Sequence, residues 1–168
     1  MPTPEDANLI LRLYELRRES RLRQARDWFA RSFRVKTMEE FQAFCPPGSE
    51  ANASYRMFTT YWEMAASFVV HGTLDRELFF ENNQELLFLW ARVKDLLPRL
   101  RETYKNPMSL KNVEQVAGWF IDWWEARAPG AHAAFAARIN QIPAQIPAQI
   151  PAQTPAPPPP TAETPHTD

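Results

Sequence analysis

One cysteine, three histidines and four glycines among 168 residues leave few ways to build a catalytic or metal centre. Cys45 has no partner for an intrachain disulfide, cannot form a cysteine-ligated zinc site, and fits a reducing compartment. Di-metal centres in helical bundles use two Glu-x-x-His pairs and two further glutamates. Here the histidines are His71, His132 and His166, and the one such pair, Glu163 with His166, is interrupted by Pro165, which denies it helical spacing. HExxH, GxSxG and glycine-rich phosphate loops are all missing. Neither a cofactor nor an enzymatic activity is expected. No apolar run approaches the roughly 18 residues of a membrane span. The N-terminus MPTPEDANLILRLYELRR carries acids where a signal peptide needs positive charge, so the expectation is a cytoplasmic protein without a span. With 19 basic and 20 acidic side chains the net charge is −1, which exerts no general pull toward nucleic acid or anionic lipid.

Proline is abundant, and its placement divides the chain. Nine of the 16 prolines lie from Ile139 onward, where IPAQ occurs three times in succession before TPAPPPPTAETPHTD. Proline at every fourth position removes amides that a helix or a central strand requires, so 139–168 reads as a disordered Pro-rich tail with polyproline character. In 4–138 prolines and glycines fall mainly at helix ends. Thr3 with Asp6, and Thr37 with Glu40, have the spacing of capping boxes, and Asp75 can cap a further segment. Gly72 and Gly130 act as stops. The fold class is therefore all-α, a helical bundle of five to six helices. One long helix from about Asn83 to Tyr104 is expected to kink at Pro98.

Helical wheels locate the apolar faces. Leu86, Leu89, Trp90, Val93, Leu96, Leu97, Leu100 and Tyr104 share an arc of about 120°. The segment 52–71 is apolar over roughly 200°, leaving Thr59, Thr60, Glu63 and Ser67 as a polar strip that faces solvent, which makes this helix central. Leu78, Phe79, Phe80, Leu87 and Phe88 do not all fit the buried arc and form a candidate interface. Trp62, Trp119 and Trp123 are candidates for an apolar ligand pocket. The stretch from Arg12 to Arg34 holds eight arginines and three acids. Arg17, Arg18 and Arg21 are candidate anion-binding residues, weighed against a solvated face matched by Glu19 with Arg23, Arg23 with Asp27 and Asp27 with Arg31. In the same stretch Leu9, Leu13 and Leu16 lie opposite Leu22, Ala25, Phe29 and Phe33, so the helix either kinks near Ser20 or touches two different partners. Cys45 reads as a small buried apolar residue.

The run YWEMAASFVVHGTLDRELFFENNQELLFLWARVKDLLPRLRETYKNP has a His-Gly-x-x-Asp turn at His71 to Asp75 and Leu-Trp at Leu89 and Trp90. It resembles a class of small bacterial helical proteins known only as a domain of unknown function. The resemblance covers about Leu9 to Tyr104. It implies a bacterial source and an all-helical fold, and it implies no activity.

These readings converge on a non-enzymatic helical protein-protein interaction domain that self-associates as a homodimer. The alternative is a binder of an apolar small molecule in the tryptophan-rich pocket. A third reading, weak nucleic-acid binding through the arginine-rich helix, is disfavoured by the spread of its charges.

Overall fold

Each of the first helices begins where a side chain accepts amides that the helix itself leaves free. The computed structural model describes residues 1–141. Helix α1 (Pro4–Arg17) opens with a complete capping box: Thr3 Oγ1 accepts from the Asp6 amide at 3.2 Å, and Asp6 accepts from the Thr3 amide at 2.8 Å. Helix α2 (Ser20–Ser32) is capped by Glu19, which accepts from the Arg21 and Leu22 amides at 2.9 Å each. Thr37 and Glu40 box the start of α3 (Met38–Phe44), Ser49 caps α4 (Glu50–Val70), and Asp75 caps α5 (Arg76–Asn82). Then follow α6 (Glu85–Val93), α7 (Leu97–Thr103), α8 (Lys111–Arg127) and α9 (Ala131–Gln141). Gly72 ends α4 at φ +71°, a conformation that lets the Thr73 and Leu74 amides both donate to the Phe68 carbonyl.

The described residues are all helical apart from turns and loops, and they hold nine helices rather than five or six. Two expected helices are divided. The first breaks after Arg17, where the amides of Arg18 and Glu19 turn back to the Glu15 and Leu16 carbonyls. The break separates the two apolar faces noted in the sequence, so Leu13 and the set Leu22, Ala25 and Phe29 are buried by differently aimed helices. The Pro98 helix is likewise two helices, not one kinked helix. Lys94 and Leu96 keep right-handed helical backbone, but regular bonding lapses over 94–96 because proline has no amide for the Lys94 carbonyl. Val93, Leu96, Leu97 and Leu100 are still buried in series across the gap, whereas Tyr104 is exposed. Helix α9 continues through Gln141, with Ile139 buried, so helix extends past the expected boundary at residue 138. The expected disordered tail otherwise lies outside the described residues.

Helix α4 is central, as its wide apolar arc predicts, with α2 on one side and α8 on the other. Helices α6 and α9 pack on α8, and α1 lies against α2 and α5. The core is strongly aromatic. Phe29 and Phe58 join α2 to α4 with ring centroids 4.6 Å apart, and Phe80 stacks on Phe120 at 4.5 Å to join α5 to α8. No described helix is long and apolar enough to cross a membrane.

Candidate functional site

The expected interface is mostly interior. Phe79, Phe80 and Leu87 are 0%, 1% and 1% exposed, and only Leu78 and Phe88 are half-buried, Phe88 against Phe29 and beneath the Arg92 guanidinium. The physical reason is the turn at Asn83, whose side-chain amide donates to the Phe79 carbonyl. This turn re-aims α5 relative to α6, so phenylalanines that fit no single helical arc find separate cavities. They satisfy the core of their own chain and present no apolar excess.

The three candidate pocket tryptophans do not all meet. Trp62 is fully buried beside Tyr61 and Phe79, with the Arg17 guanidinium 6.0 Å from its ring. Trp119 and Trp123 are half-buried on α8, where with Arg76, Glu77, Phe80 and Asp122 they line an open groove of about 330 Å³. Arg76 lies over Trp119 at 5.2 Å and Arg127 over Trp123 at 4.3 Å, so both indoles already hold a cation. This groove is partly charged and lacks Trp62, unlike the apolar pocket expected.

Nor do the candidate anion-binding arginines converge. Arg17 turns inward toward Glu85, which also pairs with Arg26 and so ties α1 and α2 to α6. Arg18 lies over the Tyr14 ring at 5.6 Å, and Arg21 is exposed. The i,i+4 pairs expected among Glu19, Arg23, Asp27 and Arg31 are absent from the ion pairs of the described residues, and Glu19 is instead engaged by the α2 amides. Cys45 is buried, and that burial pushes its thiol up to about 12, far from reactive thiolate.

Three carboxylates make contacts between distant segments that the sequence reading missed. Glu63 accepts from the Asn112 and Val113 amides, both at 3.0 Å, and from the Asn112 side chain at 2.8 Å. It thus caps α8, instead of facing solvent. The signal available was that α8 has no capping side chain of its own: Leu110, not Ser109, precedes it, at φ +51°. Glu85 is the second. Asp6 is the third, accepting the Asp75 amide at 2.7 Å while it closes the α1 capping box. Hydrogen bonds from the Thr3 amide, then the Asp75 amide and the Thr3 hydroxyl, hold the Asp6 carboxyl below its ordinary range. A lowered carboxyl stabilises the folded state above its unfolded pKa of about 4 and loses that contribution as pH falls through the folded value. Amide exchange at Asp75, relative to the core of α4, is therefore expected to accelerate on acidification below about pH 4, and an Asp6→Asn chain should show the faster exchange already at neutral pH.

One face of α1 stays outside. Spacing of three and four residues aligns Ala7, Ile10, Leu11, Tyr14 and Arg18. Leu11 is 59% and Tyr14 49% exposed, and Ile10 is half-buried. The adjoining face is fixed to the body by Leu13, whose carbonyl accepts from the Tyr61 hydroxyl at 2.8 Å, and by Asp6 and Arg17. Helix α1 is therefore registered rigidly while showing an apolar ridge to solvent. Among the described residues no group of three His, Cys, Asp or Glu side chains is placed to hold a metal ion.

No curated protein and no solved structure matches the chain. The model of a domain of unknown function, DUF4760, matches residues 2–123, from the capped start of α1 to Trp123 in α8 and so well past Tyr104; the chain belongs to that family.

Proposed function

We propose that this chain is a non-enzymatic helical interaction domain that self-associates through the outer face of α1. The observation that carries the reading is the exposure of Leu11 and Tyr14 on a helix whose other face is locked by Asp6, Leu13 and Arg17. A second copy suits this face. Antiparallel packing of two α1 helices about a two-fold axis opposes their dipoles. Fourteen residues make a helix of about 21 Å, so the buried area falls below the standard interface of about 800 Å² per partner. The dimer is accordingly weak, with a Kd on the order of tens of micromolar.

Sedimentation equilibrium from about 5 to about 500 μM is the direct test, since this range brackets such a constant. The full-length chain should move from monomer to dimer across it, and Leu11→Glu or Tyr14→Glu should hold it monomeric with an unchanged far-ultraviolet spectrum. A native chain monomeric throughout would refute the proposal.

A further inference from the structure

We infer that α9 is a displaceable strap, and that the face of α6 and α8 beneath it docks an amphipathic helix of a partner protein. The partner helix carries an aromatic residue, a branched aliphatic residue four positions on, and an acid at its C-terminal end. Helix α9 itself shows what the face accepts. Its inner side presents Phe135, packed edge-on against Trp124 of α8 with ring centroids 5.5 Å apart, and Ile139, the buried residue of the helix. The Ile139 carbonyl accepts from Nη2 of Arg92 on α6 at 2.8 Å, so the negative end of the α9 dipole lies against a cation.

The strap is lightly held. A helix of 11 residues, five of them alanine, is marginal in water without docking. Its N-terminal end is latched from α8 by Glu125, which accepts the Gly130 and His132 amides at 2.7 and 2.8 Å. Its entry is the turn at Ala128 to Gly130, where Gly130 has φ +83°. Release about that turn leaves the contacts of α2, α4 and α8 with one another in place.

Arg92 sets the chemistry of the partner. Its Nε is buried and makes no hydrogen bond, and the residue takes part in none of the ion pairs of the described residues. Burial, and after it the charge of Arg34, lowers the guanidinium to about 10. Helix α9 offers this cation a neutral carbonyl, and residues 131–141 contain no acid. An Asp or Glu at the end of a competing helix can accept from Nε and Nη2 together, a charge-assisted bidentate pair that a main-chain carbonyl cannot make. Such a helix repeats the apolar contacts of Phe135 and Ile139 and ends better, so it displaces α9.

The test uses the full chain labelled with nitrogen-15 and two synthetic peptides of residues 130–141, one of native sequence and one with Asn140→Asp and Gln141→Glu. In the free chain the α9 amides should exchange at least about a hundredfold faster than the core of α4. On titration to about millimolar peptide, the Trp124 indole N–H and Arg92 Nε–H signals should move while the chain's own α9 amides lose protection. The acidic peptide should bind about tenfold more tightly than the native one, and Arg92→Gln should cancel that preference. A Phe135→Ala chain, whose own strap is loosened, should bind both peptides more tightly than the native chain does. Exchange of α9 no faster than that of α4, or reporters unmoved by peptide in the Phe135→Ala chain, would overturn the proposal. So would equal shifts from a peptide with Phe135→Ala and Ile139→Ala, or shifts confined to α1, which would place the peptide on Leu11 and Tyr14. Reporter shifts that follow dilution without peptide would overturn it too, by assigning the face to α9 of a second copy.

Discussion

Phe80→Glu is expected to abolish the fold rather than to separate two subunits. The native ring is 1% exposed, stacks on Phe120 at 4.5 Å and touches Phe79 and Trp123. Loss of a buried aromatic costs about 3 to 5 kcal/mol, and an unpaired carboxylate left in its place costs several kcal/mol more. Together these reach the total stability of a typical domain, about 5 to 15 kcal/mol. Far-ultraviolet circular dichroism should show a largely unfolded chain at neutral pH, and Phe80→Leu should remain folded with a loss of about 1 to 2 kcal/mol. A cooperative, native-like urea transition in Phe80→Glu would mean that this side chain does not lie between α5 and α8. The substitution is therefore unsuitable as an interface probe, and Leu11→Glu at an exposed position takes that role.

Glu63→Ala should produce the second large effect, about 2 kcal/mol of lost stability. Residue 63 is midway along α4, yet its carboxylate supplies the acceptors that the first turn of α8 cannot find locally. Its removal leaves two backbone amides and one side-chain amide of that turn to be satisfied by water at a half-buried site. It also removes a negative charge from the positive end of the α8 dipole. Glu63→Gln keeps one oxygen acceptor and should lose about half as much. Urea denaturation should show a lower midpoint at constant slope, and exchange should quicken at the Asn112 and Val113 amides before the rest of α8. A midpoint unchanged by Glu63→Ala would show that water caps α8 equally well.

The helix starts were legible because capping is local: Thr3 and Asp6, Thr37 and Glu40, and Asp75 and Leu78 are each three residues apart and act within one turn. The central place of α4 was legible from the width of its apolar arc. The division at Pro98 was read as a kink, and the one at Arg18 only as one of two alternatives near Ser20, because a wheel assumes continuity and reports a break only as an apolar residue in the wrong sector. The phenylalanines at 79 and 80 were such residues. They looked like excess surface because a wheel records which side of a helix is apolar, not what covers it.

The amino-acid sequence by itself determined the all-helical character of the described residues, the start of most helices and the separate composition of the segment after Gln141, since propensity, capping and proline chemistry act over a few neighbouring residues. Only the tertiary structure decided which aromatic side chains are interior, that Arg17 faces Glu85 instead of solvent, and that Leu11 and Tyr14 on the outer face of α1 are left uncovered. Those outcomes are relations between distant segments. Asp6 meets Asp75 across 69 residues and Glu63 meets Asn112 across 49, and no local pattern encodes a partner that arrives only when α1, α4, α5 and α8 have packed.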